Sequence, residues 1–190
     1  MKKITLFLFV ILNVNFCFGQ NEHLKFRDID IDGHITEFIS KLEKLGYSIQ
    51  VNSDDTVMLK GSFIGRECDI FVQFSSKTKI VYGVMIHLPI EKSWYSFKRE
   101  YQSVKEKVIQ KYGKPRAIIE SFKKPYYDGS GCEIQALKNG ECVYLSVWDV
   151  KNGSIVLQII AAGYLYIGYW DSSNKEVYEK KEKDIISSDL

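Results

Sequence analysis

The sequence predicts an α+β protein: two tandem units, each a helix packed on an antiparallel sheet, together forming one two-layer domain. Three observations carry this reading. Apolar residues at Trp94, Phe97, Tyr101, Val104, Val108 and Tyr112 recur at three- and four-residue steps, the stripe of an amphipathic helix. An earlier and shorter stripe, Ile35, Phe38, Ile39, Leu42 and Leu45, repeats the pattern. After each stripe come apolar segments punctuated by turn residues, which read as strands.

Taken from the start, Met1 to Gly19 has the layout of a secretory leader: Lys2 and Lys3, the apolar run Ile4 to Leu12, and small residues at Cys17 and Gly19. The run is too short to span a bilayer, and cleavage after Gly19 leaves Gln20 first. Lipid attachment at Cys17 is the alternative, disfavoured because the bulky Phe16 precedes it where such sites want a small residue. Removal of 1–19 takes away two cations and no acid, leaving a balanced chain of interspersed charges. Balance removes the electrostatic argument for nucleic acid or an anionic membrane as partner. With no later apolar span of membrane length, the expected product is secreted or periplasmic, without a transmembrane segment.

The first unit is expected over 20–90. Gly46 ends its helix, and strands follow at Thr56 to Ile64, Glu67 to Phe74 and Lys79 to Leu88, stopped by Pro89. Alternation is clean in the middle strand, where Cys68, Ile70, Val72 and Phe74 share one face and Asp69 and Gln73 the other. Ahead of the helix, Asp28-Ile29-Asp30-Ile31-Asp32-Gly33 matches the opening of a calcium loop. The twelfth position, which should be a bidentate Glu, is Ile39, so the stretch reads as a short solvated strand and no metal is expected.

The second unit is expected over 91–171. Ser93 caps its helix, Gly113 takes the left-handed position that ends it, and Pro115 forbids continuation. Arg116 to Phe122 reads as a strand, followed by a loop from Lys123 to Gly131 holding Tyr126 and Tyr127. Asn139-Gly140 predicts a two-residue hairpin pairing Ala136 with Val143 and Cys132 with Val147. Lys151-Asn152-Gly153 predicts a three-residue turn pairing Val147 with Leu157 and Leu145 with Ile159, which keeps aliphatic residues together. The opposite face would carry Tyr144 and Trp148, with Tyr164, Tyr166 and Trp170 joining from the last strand. If helices cover only one side, these rings are open to a ligand; otherwise they pack beneath the Lys123 to Gly131 loop and the C-terminal segment. Residues 172–190, with alternating charge around Val177 and Tyr178, read as a solvated helix or tail.

Chemistry motifs are sparse. No nucleophile elbow, phosphate loop or zinc-helix pattern occurs, and His23, His34 and His87 lack partners at metal-ligand spacing. Catalysis would rest on an unsupported pairing of Cys68 with His87, so no catalytic residue and no cofactor are assigned. An odd three cysteines after the leader, Cys68, Cys132 and Cys142, read as small buried or half-buried free thiols; a bridge from Cys68 to either of the others is the alternative.

Phe26-x-x-Ile29-x-Ile31-Asp32-Gly33 leading into Glu37-Phe38, Lys41-Leu42 and Leu45-Gly46-Tyr47 resembles the start of a family of small secreted bacterial proteins of unknown function. Lys111-Tyr112-Gly113-Lys114-Pro115, Glu120-Ser121-Phe122, Gly153-Ser154-Ile155 and Tyr169-Trp170-Asp171 look like its later landmarks. That resemblance implies no activity. The order of helix then strands, twice, is also similar to the β-lactamase inhibitor protein architecture, which implies an open sheet face offered to a protein partner. The expected function is therefore a secreted non-catalytic binding module. It takes a protein or peptide ligand on Tyr144, Trp148, Tyr164, Tyr166 and Trp170, with Tyr126 and Tyr127 nearby. The alternative is a glycan-binding or weakly hydrolytic cell-envelope protein using the same rings with Asp149 or Asp171.

Overall fold

A computed structural model of the chain describes residues 22–90, 93–175 and 179. The leader expected over 1–19, its expected cleavage point and most of the tail expected over 172–190 lie outside the described residues. The fold is α+β and is built on one eight-stranded antiparallel sheet with helices on one side.

A two-residue hairpin opens it, β1 (Lys25–Phe26) and β2 (Ile29–Asp30). Next comes α1 (Ile35–Lys44), capped by His34 Nδ1, which accepts from Thr36 N at 3.3 Å. Gly46 follows it with φ +88°, the left-handed turn that glycine takes without Cβ strain. Four strands then run as a meander: β3 (Ser48–Asn52), β4 (Thr56–Phe63), β5 (Arg66–Phe74) and β6 (Val81–Pro89). The second helix, α2 (Trp94–Tyr112), has the predicted limits: Ser93 Oγ accepts from Ser96 N at 3.1 Å, and Gly113 has φ +84°. After it come β7 (Ala117–Phe122), the short helix α3 (Glu133–Lys138), β8 (Cys142–Val150), β9 (Gly153–Ile160) and β10 (Tyr164–Asp171).

The order across the sheet is β3-β4-β5-β6-β10-β9-β8-β7, so the last strand of each meander meets its counterpart in the middle. The β6–β10 seam runs from Tyr164 opposite Pro89 to Trp170 opposite Gly83. Ile70, Ile86, Ile167 and Leu157 stand in line across β5, β6, β10 and β9, all fully buried on the face that the helices cover. Phe38 and Leu42 of α1 and Phe97, Tyr101, Val104 and Val108 of α2 join them in one core. Burying this many aliphatic and aromatic side chains, at roughly 1.5–3 kcal/mol each, is what orders the long-range pairings.

Two local expectations are corrected, and one strand is found that the sequence did not predict. Residues 133–138 form α3 rather than a strand, and β8 pairs instead with β7, Ala117 opposite Val147 and Phe122 opposite Cys142. The helical alternative buries Ala136 and Leu137 on one side of a single turn and lets Glu133 Oε1 accept from Gly129 N at 2.6 Å. Second, the β8–β9 turn holds two residues, Lys151 and Asn152, so Val147 faces Val156 and Trp148 faces Ile155. Both faces of β8 are apolar, so a period-two pattern leaves the register to be decided by packing. Third, β3 is an edge strand whose residues are all exposed, which leaves no alternation to read.

Candidate functional site

The one-residue change in register decides which rings share a face. Tyr144 and Trp148 point under α2, with only 4% and 0% of their surface exposed. Trp148 Nε1 donates to Gly113 O at 3.0 Å, which ties the strand to the end of the helix. Tyr144 lies edge-on to Trp94 (5.0 Å between ring centres) and to Tyr101 (5.5 Å). Between them Tyr101 Oη and Ser146 Oγ are 2.6 Å apart, and burial pushes the Tyr101 phenol up to about 12. These are core residues, and the expectation that they front a shared aromatic surface is corrected. Tyr126 and Tyr127 belong to the loop before α3, which is fastened to α2 by Trp94 Nε1 donating to Asp128 Oδ1 at 2.7 Å and by the Lys98–Asp128 ion pair. Tyr127 is exposed, whereas Tyr126 packs on the core and its hydroxyl accepts from Asn139 Nδ2 at 3.3 Å.

Tyr164, Tyr166 and Trp170 do share a face, the one turned away from the helices. Strand alternation fixes this, because Leu165, Ile167 and Tyr169 between them are buried in the core. Two glycines let the rings lie down on the sheet. A Cβ at Gly83 would come within 2.6 Å of the Trp170 ring, and one at Gly168 would be 2.5 Å from Tyr166 Oη and 2.7 Å from Trp170 Nε1. The Tyr166 hydroxyl and the indole N–H therefore converge over Gly168, each occupying room that a side chain would take.

Neighbouring strands add rings that the sequence reading did not select. His87, opposite Tyr166, stacks on Tyr164 at 5.4 Å and touches Phe71 at 4.7 Å. Tyr82 stacks on Trp170 at 6.2 Å and its hydroxyl donates to Gln73 Oε1 at 3.3 Å. Met85 lies opposite Gly168 and beside Phe71. Lys175 Nζ stands 5.5 Å from the Trp170 ring at one end. Most of these side chains are half-buried. The sequence held a signal for Phe71, since it alternates with Ile70 and Val72 alongside Asp69 and Gln73. For Tyr82 the signal was weaker, because a bulge where β6 meets β5 shifts the register there, whereas His87 alternates regularly with the buried Ile86 and Leu88. Burial pulls the His87 imidazole below its ordinary value and so favours the neutral ring, opposed by the nearby Asp69 carboxylate.

Polar residues border the patch. Lys60 and Asp69 are cross-strand neighbours on β4 and β5, and on the far side Asp149 pairs with Arg116 at 2.9 Å. The other carboxylate singled out by sequence, Asp171, is fully buried; Oδ2 accepts from Leu24 N at 2.8 Å and Oδ1 from Asn174 N at 3.0 Å. His23 Nδ1 lies 3.2 Å from Asp171 Oδ2 without making a hydrogen bond to it.

The remaining sequence candidates fall apart spatially. Cys68 is on the helix face and His87 on the opposite one, so they form no nucleophile and base pair. Among the described residues all three thiols are free: Cys68 and Cys142 are buried, each with its pKa raised to about 11 by desolvation, whereas the expectation of burial is corrected for Cys132, which is exposed ahead of the short helix α3. The Asp28, Asp30 and Asp32 carboxylates diverge. Asp28 is in the first hairpin turn, Asp30 pairs with Lys25 at 3.0 Å, and Asp32 Oδ1 accepts from Asn174 Nδ2 at 2.8 Å. No described helix is long and apolar enough to cross a membrane. None of the family models, curated proteins or solved structures compared with the chain matches it.

Proposed function

We propose that the chain is a secreted, non-catalytic binding module that takes a protein or peptide ligand on the sheet face of β6 and β10. The observation that carries the reading is the patch of half-buried rings and sulfur at Phe71, Met85, His87, Tyr164, Tyr166 and Trp170, opposite the face used by the helices. An apolar aromatic centre with polar neighbours at its edge is how protein interfaces are composed. The rings already touch one another and lie against backbone, so little side-chain freedom is lost when a partner covers them.

The architecture behind this surface is proposed to be two tandem units, residues 20–90 and 91–171, each a helix leading into a four-stranded meander and joined through their last strands. Support comes from the mirrored order β3-β4-β5-β6 against β10-β9-β8-β7 and from one glycine facing a large residue on each side of the seam, Gly83 with Trp170 and Gly168 with Met85. The similarity to the β-lactamase inhibitor protein arrangement is of the same kind and adds an analogy of layout, with function argued from the site.

The glycan or hydrolytic reading is less well supported. Its two carboxylates are engaged elsewhere: Asp171 holds backbone N–H groups inside the core, and Asp149 is paired with Arg116. The mature protein is to be used as bait in envelope extract and, in parallel, on a glycan array. Specific retention of a protein with a blank array is expected; array binding with no retained protein would replace this reading with the glycan one.

A further inference from the structure

Away from the sheet face, a cavity of about 330 Å³ opens between α2 and the tips of two hairpins. Its interior is apolar, lined by Phe26, Phe63, Val104, Val108, Ile167 and Tyr169. Its mouth is basic: Lys25, Arg27, Lys107 and Lys111 line it against a single carboxylate, Asp28. Lys25 is paired with Asp30, but among the described residues Lys107, Lys111 and Arg27 make no ion pair; Lys111 Nζ rests 5.2 Å from the Tyr112 ring and the Arg27 guanidinium 6.0 Å from that of Tyr47.

The hairpin tips add an independent observation. Arg27 (φ +52°), Asp28 (φ +63°) and Ile64 (φ +49°) are non-glycine residues in the left-handed region, and all three line this cavity. A tight hairpin that needs only to turn takes Asn or Gly at such positions. A β-branched residue there is strained, and strain of this sort gathers at ligand-holding loops. Here it places a cation, an anion and an aliphatic side chain around one opening.

We propose that this cavity binds a small amphipathic anion, its apolar body against Phe26, Phe63 and Val108 and its carboxylate or phosphate head held by Lys107, Lys111 and Arg27. The volume is at the lower end for small-molecule sites, which are largely apolar with a few charged groups that fix orientation. A medium-length acyl chain or a single substituted ring suits it better than a long lipid. The site lies on the other side of the sheet from the rings of β10 and stands independently of the partner-binding reading.

The test is isothermal titration of the mature protein with octanoate, octyl phosphate, octanol and inorganic phosphate. Octanoate or octyl phosphate is expected to bind one per chain, and whichever is tighter identifies the head group. Both Lys107 and Lys111 are exposed, so K107Q/K111Q should keep the native melting temperature while affinity falls about tenfold or more, the scale of losing charged hydrogen bonds. Octanol binding as tightly as the anions, unchanged affinity in K107Q/K111Q, inorganic phosphate matching octyl phosphate, or no binding of either amphiphile would each overturn the proposal.

Discussion

At the scale of single residues, two tryptophans of the same sheet have opposite expected roles. Trp148 is fully buried and hydrogen-bonded to Gly113 O, so truncation leaves a cavity beneath α2 and an unpaired carbonyl. Trp148→Ala should cost about 3–5 kcal/mol in a urea titration. Trp170 is half-buried against Gly83, and Trp170→Ala should retain a cooperative transition with a smaller loss while weakening ligand binding. Similar losses of stability for the two would contradict their assignment to different faces. From sequence the two looked alike, because an aromatic residue on an apolar strand suits a core and an interface equally well.

His87 makes a second residue-level prediction. Its folded-state pKa is lowered, mainly by burial. The unfolded chain therefore takes up the proton first as pH falls. The stability this ring contributes is complete above the ordinary histidine value of about 6.5, and it declines as pH drops from there toward the lower native value. Urea midpoints should fall between about pH 7.5 and about pH 5.5 in the native protein, and fall less in His87→Gln. A ligand covering the ring disfavours its charged form further, so affinity should also weaken on the acid side. Equal pH slopes in the two proteins would remove His87 from this account.

At the scale of elements, α2 was fully legible: its stripe, the Ser93 cap and the Gly113 stop are local signals, and helix limits follow local rules. The alternation of β5 was equally clear. The segment from Cys132 to Val150 was not, since 133–138 is too short for periodicity to separate helix from strand, and the β8–β9 register depends on Tyr144, Ser146 and Trp148 fitting under a helix far away in sequence. The β10 strand adds a test of its own. Gly168 has no room for a Cβ between Tyr166 Oη and Trp170 Nε1, so Gly168→Ala should push the indole off the sheet. The expected result is a shift in tryptophan emission and weaker ligand binding with the fold retained. An unchanged spectrum would mean that the two polar tips do not meet there.

At the scale of the whole molecule, the helices, the opening hairpin and the buried carboxylate Asp171 all lie on one side of the eight-stranded sheet, and the seam strands β6 and β10 bring their rings together on the other. The existence of a one-sided sheet could be read from the order of elements. The composition of the side turned away from the helices could not, because that side is assembled from strands about 80 residues apart whose pairing is set by the core they share. The amphipathic pocket beside α2 was hidden for the same reason, its walls coming from the chain's opening hairpin, the β4–β5 turn and the helix.

The measurement that tests the seam surface most directly is quantitative capture from envelope extract by three baits: residues 20–190 with the native sequence, the same chain with Tyr166→Ala/Trp170→Ala, and the same chain with Tyr95→Ala, which alters an exposed ring on α2. The native and Tyr95→Ala baits should retain the same protein in equal amounts, and the double variant, still folded by circular dichroism, should lose it. Equal retention by all three would contradict the assignment of binding to this face.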